Sequence, residues 1–254
     1  DDLFMPHPDR LRLTYNADGL VGSAWATDKI DASKSWSTIF RFQITHPSSG
    51  GGDGIGFHIQ EDGIEANPGH EGWSLSGSHF SLIVDTWNNG NEGTDESLRL
   101  IVNGNQIYIN DLLDYDPDPN PGSSSSVFRM ELNYVAANQE LGIRFFDEGS
   151  SDRLFDSVIN IDLSGLNNSW AGFSAVTGMS TENHDIRTWM LNAATPTSTP
   201  LGDINQDGNI DIIDIVLVVN IIIEDTPYNE LADMNNDNII NVFDIVAMVN
   251  LILN

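Results

Sequence analysis

The sequence predicts a mainly β chain: an antiparallel β-sandwich over residues 1–193, then a small α-helical unit of paired loops over residues 201–254. Three observations predict it. Short runs rich in β-branched and aromatic residues recur as far as residue 191, separated by clusters of Gly, Asn, Asp, Pro and Ser. No long apolar period of helical spacing occurs before residue 200. Beyond it, a loop followed by an apolar run occurs twice, at an offset of 30 residues.

The expected strands, in order, are residues 11–15, 38–44, 56–60, 80–87, 98–102, 106–109, 127–135, 141–146, 158–161 and 186–191. Asn103-Gly104 lies between two of them and is a hairpin signal. So many short strands in one stretch suggest a single antiparallel sandwich or barrel. Residues 111–126 (DLLDYDPDPNPGSSSS) read as a loop. Residues 194–200 (ATPTSTP) have the Pro, Thr and Ser content of a stiff linker and mark the domain boundary.

After the linker, GDINQDGNIDIIDIVLVVNIII is followed by ADMNNDNIINVFDIVAMVNLIL. With Asp203 as position 1, Asp203, Asn205, Asp207, Asp211 and Asp214 fall at positions 1, 3, 5, 9 and 12. Gly208 stands at position 6, and Asn209 at position 7 would offer its carbonyl. The second copy places Asp233, Asn235, Asp237, Asn241 and Asp244 in the same register, with the carbonyl of Ile239. Its position 6 is Asn238, the side chain that best tolerates the left-handed turn after Gly. This is the ligand spacing of an EF-hand calcium loop with Asp in place of the final Glu. Asp- and Asn-rich turns without metal are the plainer explanation of one such loop. Two loops in matched register, each leading into a helix, favour calcium, since clustered carboxylates without a cation repel one another.

The helices over 212–223 and 242–253 are apolar on nearly every face. A pair this small cannot bury all of that within itself, so a partner, or packing on the chain's own sandwich, is expected.

Composition narrows the possible functions. There is no cysteine, which excludes disulfides, zinc–thiolate sites and cysteine nucleophiles. The net charge is −28, with 10 basic and 38 acidic residues, which argues against nucleic acid and anionic membranes and suits either solubility alone or divalent cation binding. From Leu201 onward there are ten acidic residues and neither Lys nor Arg. Both apolar runs in the tail are too short to cross a bilayer, so no membrane insertion is expected. The chain opens on Asp1 with no charged-then-apolar leader, so any signal peptide is expected to have been removed already; an extracellular or cell-surface location is what the resemblances given below imply.

Three stretches of the sandwich stand out: GGDGIGF at 51–57, VDTWNN at 84–89, and WAGFSAVTG at 170–178 with HDIRTW at 184–189. The first is no phosphate loop, because neither Lys nor a helix follows it. Asp85 and Asn89, four residues apart at a strand exit, could share a cation or form a solvated turn.

Two family resemblances carry these motifs further. The paired D-x-N-x-D loops, each followed by one helix and lacking an entering helix, resemble type I dockerins, whose paired calcium loops form an F-hand module. That implies two bound calcium ions and docking onto a cohesin-like domain.

The three stretches, with residues 11–14, 22–24, 37–42 and 162–164, resemble L-type (legume-like) lectins. That implies a lectin jelly roll that binds a glycan or polysaccharide, with a cis peptide before Asp53. In the family's pattern Asp53 accepts hydrogen bonds from two sugar hydroxyls, and Trp87 stacks on the pyranose ring. Gly72 offers an N–H, Asn89 donates to the sugar, and residues 179–183, beginning with Met179 and Ser180, form a wall. Asp85, the carbonyl of Trp87, Asn89 and Asp95 would hold one calcium, with Glu92 in reserve for Asp95. Legume lectins also carry a Glu two residues before the first Asp and a His after the second, for a transition metal. Those positions hold Ile83 and Ser97 here, so the resemblance implies calcium alone.

Other polar residues point away from catalysis. His58, His70, His79 and His184 could act as acid–base groups, yet such residues are more often structural. No G-x-S-x-G nucleophile context and no E-x-D-x-x-E pair on one strand occur, and Glu131 and Glu140 lie on separate strands. The expected function is a secreted, calcium-dependent, non-enzymatic lectin anchored through a dockerin-like module. The competing expectation is a structural subunit of a surface layer, sheath or filament, without sugar binding, in which the apolar C-terminal helices drive self-assembly.

Overall fold

The computed structural model describes residues 9–45, 52–68, 74–87, 97–111, 127–150, 153–195, 201–205, 209–224, 229–235 and 237–253. Most of the predicted loop at 111–126 and of the linker at 194–200 lies outside them. The chain divides into two compact units, Asp1–Pro196 and Thr197–Asn254.

The first unit is the predicted sandwich. Its strands are β1 (Leu11–Thr14), β2 (Val21–Trp25), β3 (Trp36–Thr45), β4 (Gly54–Gln60), β5 (His79–Asp85) and β6 (Ser97–Val102), then β7 (Asn105–Asp111), β8 (Phe128–Val135), β9 (Glu140–Asp147), β10 (Arg153–Asn160), β11 (Trp170–Val176) and β12 (Asn183–Asn192). They form two antiparallel six-stranded sheets, ordered β1-β12-β3-β8-β9-β10 and β2-β11-β4-β5-β6-β7.

Alternation builds the core. In β3, Trp36, Thr38, Phe40, Phe42 and Ile44 point inward while their neighbours are half-exposed. Phe40 stacks on Phe57 of β4 at 5.5 Å and meets Phe173 of β11 edge-on at 5.1 Å, joining the two sheets through aromatic contacts. Strands β4 and β5 are buried on both faces. Their second face is therefore polar where partners exist. His58 is held between the hydroxyls of Ser81 (2.8 Å) and Ser174 (2.7 Å), and burial pushes its pKa down to about 3. It is a neutral structural histidine, not an acid–base group.

Two strands escaped the sequence reading, β2 (VGSAW) and β11 (WAGFSAV). Their small residues are there because backbones approach closely: a Cβ at Gly22 would strike the Leu13 carbonyl, and one at Gly172 the Ala24 carbonyl. Strand β10 begins five residues earlier than the expected 158, because its largely exposed face carries no apolar alternation. The expected strand at 80–87 ends at Asp85, leaving Thr86 and Trp87 in the loop beyond. The hairpin at Asn103-Gly104 is present, with φ of 50° and 75°.

In the second unit, α1 (Ile212–Glu224) and α2 (Val242–Leu253) fall where the sequence places them, with a short 3₁₀ turn at Glu230–Ala232. Val218, Ala232 and Met248 are its fully buried apolar residues. Ile212, Ile213, Val216 and Ile223 on α1, and Val242, Phe243, Val246 and Leu253 on α2, are more than half exposed. Among the described residues no helix is long and apolar enough to cross a membrane.

Candidate functional site

One end of the sandwich gathers the loops that follow β5 and β11 and the turn that enters β4. The peptide Gly52–Asp53 is cis. Asp53 joins the loops through its backbone: its N–H donates to the Val176 carbonyl (2.7 Å), and its carbonyl accepts the Thr86 N–H (3.2 Å). Its carboxylate lies against Gly178, where a Cβ would sit 3.1 and 3.2 Å from the two oxygens. A Cβ at Gly52 would meet the side chains of Trp87 at 3.2 Å and Ser180 at 3.5 Å. Asp53, Trp87 and Ser180, far apart in sequence, thus share one spot. Trp87 is 37 % exposed and Met179 is 94 % exposed, so both are open to a ligand. Gly72, Asn89, Glu92 and Asp95 lie outside the described residues.

Asp85, the last residue of β5, is 1 % exposed. Its Oδ1 accepts the Trp87 N–H at 3.0 Å, a short Asx turn that sets the direction of the loop. Its Oδ2 lies 2.5 Å from a guanidinium nitrogen of Arg99 on β6, which is equally buried. Sequence reasoning missed Arg99. The signal was one cation in an otherwise apolar strand, SLRLIV, two residues from the position read as a vanished metal ligand.

A second polar network runs beneath the same loops. Glu182 Oε1 accepts from the Thr86 hydroxyl (2.7 Å) and pairs with His184 Nε2 (2.7 Å), while His184 Nδ1 meets the Thr14 hydroxyl at 2.6 Å. All four residues are buried. Glu182 therefore ties the loop bearing Trp87 to the loop bearing Ser180, a link across 96 residues of chain that no local pattern announces.

In the second unit, Asp203, Asp214, Asp233 and Asp244 are buried, although residues 201–254 contain no Lys, Arg or His. Backbone N–H groups aim the carboxylates. Asp214 accepts from Ile204, Asn205 and Asp211, and Asp244 from Met234 and Asn241. Asp233 accepts from Asp237 and Asn238. Asn238 takes φ of 63°, the left-handed turn required at position 6. Asn205, Asn209, Asp211, Asn235, Asp237, Ile239 and Asn241 lie in the same loops, and Asp207 and Gly208 outside the described residues. Among the described residues no three Asp, Glu or His side chains close into a metal cluster. Buried carboxylates clustered in a segment that has no Lys, Arg or His still fit a hard cation: the chemistry of the donors, all oxygen, is that of calcium. In the sandwich the transition-metal position does not fit its group, for Ile83 offers no ligand and Arg99 brings a positive charge.

Comparison with known proteins bears on the fold and the family of both units. The legume lectin domain family matches residues 11–206, and the type I dockerin domain family matches residues 201–253. The sandwich is similar to lectin II from Ulex europaeus, at 18 % identity and TM-score 0.60, over 73 % of this chain and 87 % of that one. It is also similar to the Bauhinia forficata lectin in complex with GalNAc, at 18 % identity and TM-score 0.63, over 76 % of this chain and 90 % of that one. The metal-free lectin I-B4 of Griffonia simplicifolia aligns at 17 % identity and TM-score 0.62, over 72 % and 87 % of the two chains. Among curated proteins, a probable outer membrane protein, pmp7, of Chlamydia pneumoniae is 26 % identical over 141 residues, which is 52 % of this chain and 14 % of that protein. On the match over residues 11–206, this chain belongs to the legume lectin domain family, and it carries a type I dockerin domain at its C-terminal end.

Proposed function

We propose that the protein is a secreted, calcium-dependent carbohydrate-binding protein: a lectin sandwich over residues 1–193, a linker over 194–200, and a dockerin module over 201–254 that anchors it to a cohesin-type partner. The observation that carries the reading is the convergence of Asp53, Trp87 and Ser180 at one end of the sandwich.

The chemistry follows from those side chains. Asp53 offers two carboxylate oxygens that accept hydrogen bonds from adjacent sugar hydroxyls. The Trp87 indole gives a π surface for the C–H face of a pyranose. Ser180 and Met179 close the other side. Asp85, the Trp87 carbonyl, Asn89 and Asp95 are the proposed calcium ligands. The ion, when bound, supplies a fixed positive charge that orders the loop bearing Trp87 and Asn89. In the dockerin module Asp203, Asn205, Asp207, Asn209, Asp211 and Asp214 are the proposed ligands of one ion, and Asp233, Asn235, Asp237, Ile239, Asn241 and Asp244 those of the second. The exposed apolar residues of α1 and α2 then serve the docking face. Binding, not catalysis, is the proposed activity, at the cell surface or outside it.

The experiment is a titration of wild type and Asp53→Ala with a glycan that the intact protein retains, alongside circular dichroism. Loss of binding by the folded variant supports the site; undiminished binding removes it.

A further inference from the structure

The pairing register of β5 and β6 sets Ile83 opposite Arg99 and Asp85 opposite Ser97. Residues two apart on a strand share a face, so these four side chains form the corners of one cross-strand square. In the legume lectin pattern the positions of Ile83 and Ser97 carry the Glu and His that hold a transition metal beside Asp85. Here both ligands are absent. The Arg99 side chain fills the square instead, with its guanidinium 2.5 Å from Asp85 Oδ2 and its Nε donating to the Ser97 hydroxyl at 3.1 Å. Arginine and aspartate are each 1 % exposed, so each buried charge is compensated in part by the other.

We propose that Arg99 is a built-in cation that replaces the transition metal, fixing the Asp85 carboxylate from the strand side so that the adjacent loop needs calcium alone. The inference rests on the proposed calcium role of Asp85. A guanidinium keeps its charge at every working pH and cannot be stripped by a chelator. Its charge attracts Oδ2 as an ion pair, without hydrogen-bond alignment, while the Trp87 N–H donates to Oδ1, so the carboxylate is drawn from both sides before any ion arrives. Its charge also repels a second divalent cation from the square. Arg99 is thus a positioning residue for calcium and a determinant of metal selectivity.

Metal binding by the full chain tests this. In a large calcium excess that saturates the loops of the C-terminal unit, wild type retains no manganese, measured by elemental analysis and electron paramagnetic resonance. The triple variant R99A/I83E/S97H, which restores a Glu–Asp–His trio, acquires manganese. Arg99→Met weakens calcium binding at the Asp85 site by about 10- to 100-fold, the usual effect of removing a residue that orients a ligand, whereas Arg99→Lys keeps it within about tenfold. A role in folding alone would lower the melting temperature of both variants without separating their calcium affinities. If Arg99→Met does not fold, Arg99→Lys and the triple variant decide. Manganese retained by wild type, calcium held by folded Arg99→Met as tightly as by wild type, or no manganese uptake by the triple variant would each overturn the proposal. Asp85→Asn separates this from the underlying reading: unchanged calcium content in that variant removes Asp85 as a ligand, and both readings with it.

Discussion

Chelation should unfold the C-terminal unit while leaving the sandwich standing. Among the described residues of that unit only Val218, Ala232 and Met248 are fully buried apolar residues, and four buried carboxylates stand in a segment without a basic side chain. A core of that scale supplies no more than about 3–5 kcal/mol. An ion present at a hundredfold its dissociation constant adds about 2.7 kcal/mol, so two add about 5 kcal/mol, as much as the core itself. Removing them also leaves Asp203, Asp214, Asp233 and Asp244 buried in a segment whose sequence has no Lys, Arg or His. The assay is far-ultraviolet circular dichroism of the full chain at 222 nm, in calcium and then in EDTA. Helices of 13 and 12 residues are the only long ones described, so the helical signal reports this unit. The expected result is loss of that signal in EDTA and recovery on adding calcium. An unchanged helical signal in EDTA would show that the carboxylates are stabilised without metal, and the reasoning would fail.

Three further perturbations follow. His58 is held neutral with a pKa near 3, below its unfolded value of 6.5, so the stability it contributes is complete above pH 6.5 and is lost as the pH falls toward 3. Chemical denaturation of wild type should lose about 2–3 kcal/mol from this group between pH 6 and pH 4, and His58→Gln should flatten the slope by that amount; parallel slopes would assign the acid sensitivity elsewhere. Gly54 sits at φ of 136°, and a Cβ there would lie 2.4 Å from the Val84 carbonyl oxygen, so Gly54→Ala should cost about 2–3 kcal/mol in thermal or denaturant melts and weaken glycan binding through the adjoining Asp53; a variant as stable as wild type would contradict the packing described. Trp87 is partly exposed, so Trp87→Ala should shift the melting temperature little yet reduce glycan affinity about tenfold by calorimetry, equivalent to about 1.4 kcal/mol; a stable variant with full affinity would take the indole out of the site.

Much of the fold was legible because its physics is local. Strand β3 alternates apolar and polar residues along its whole length, and Asn103-Gly104 can take the positive φ values its hairpin needs. The loops of the second unit were legible for a chemical reason, since ligand spacing is itself the structure of such a loop. Strands β2 and β11 were not, because glycines at their closest approaches replaced the residues that announce a strand. Asp53 and Trp87 could be singled out from their motifs, but only the fold brings them to Ser180. Arg99 and Glu182 were hidden for another reason. Each acts through a partner supplied by a different strand or loop, Asp85 for one and Thr86 for the other, and register is not written in composition.

The sandwich is proposed to bind sugar through a calcium-ordered site at Asp53. The most direct test is a glycan array probed with the intact protein in calcium, again in EDTA, and with Asp53→Ala. The expected result is binding to a defined set of glycans that disappears in EDTA and in the folded variant. A folded wild-type protein that binds no glycan in calcium, or one whose binding survives both EDTA and Asp53→Ala, would contradict it and leave the dockerin domain as the functional half of the chain.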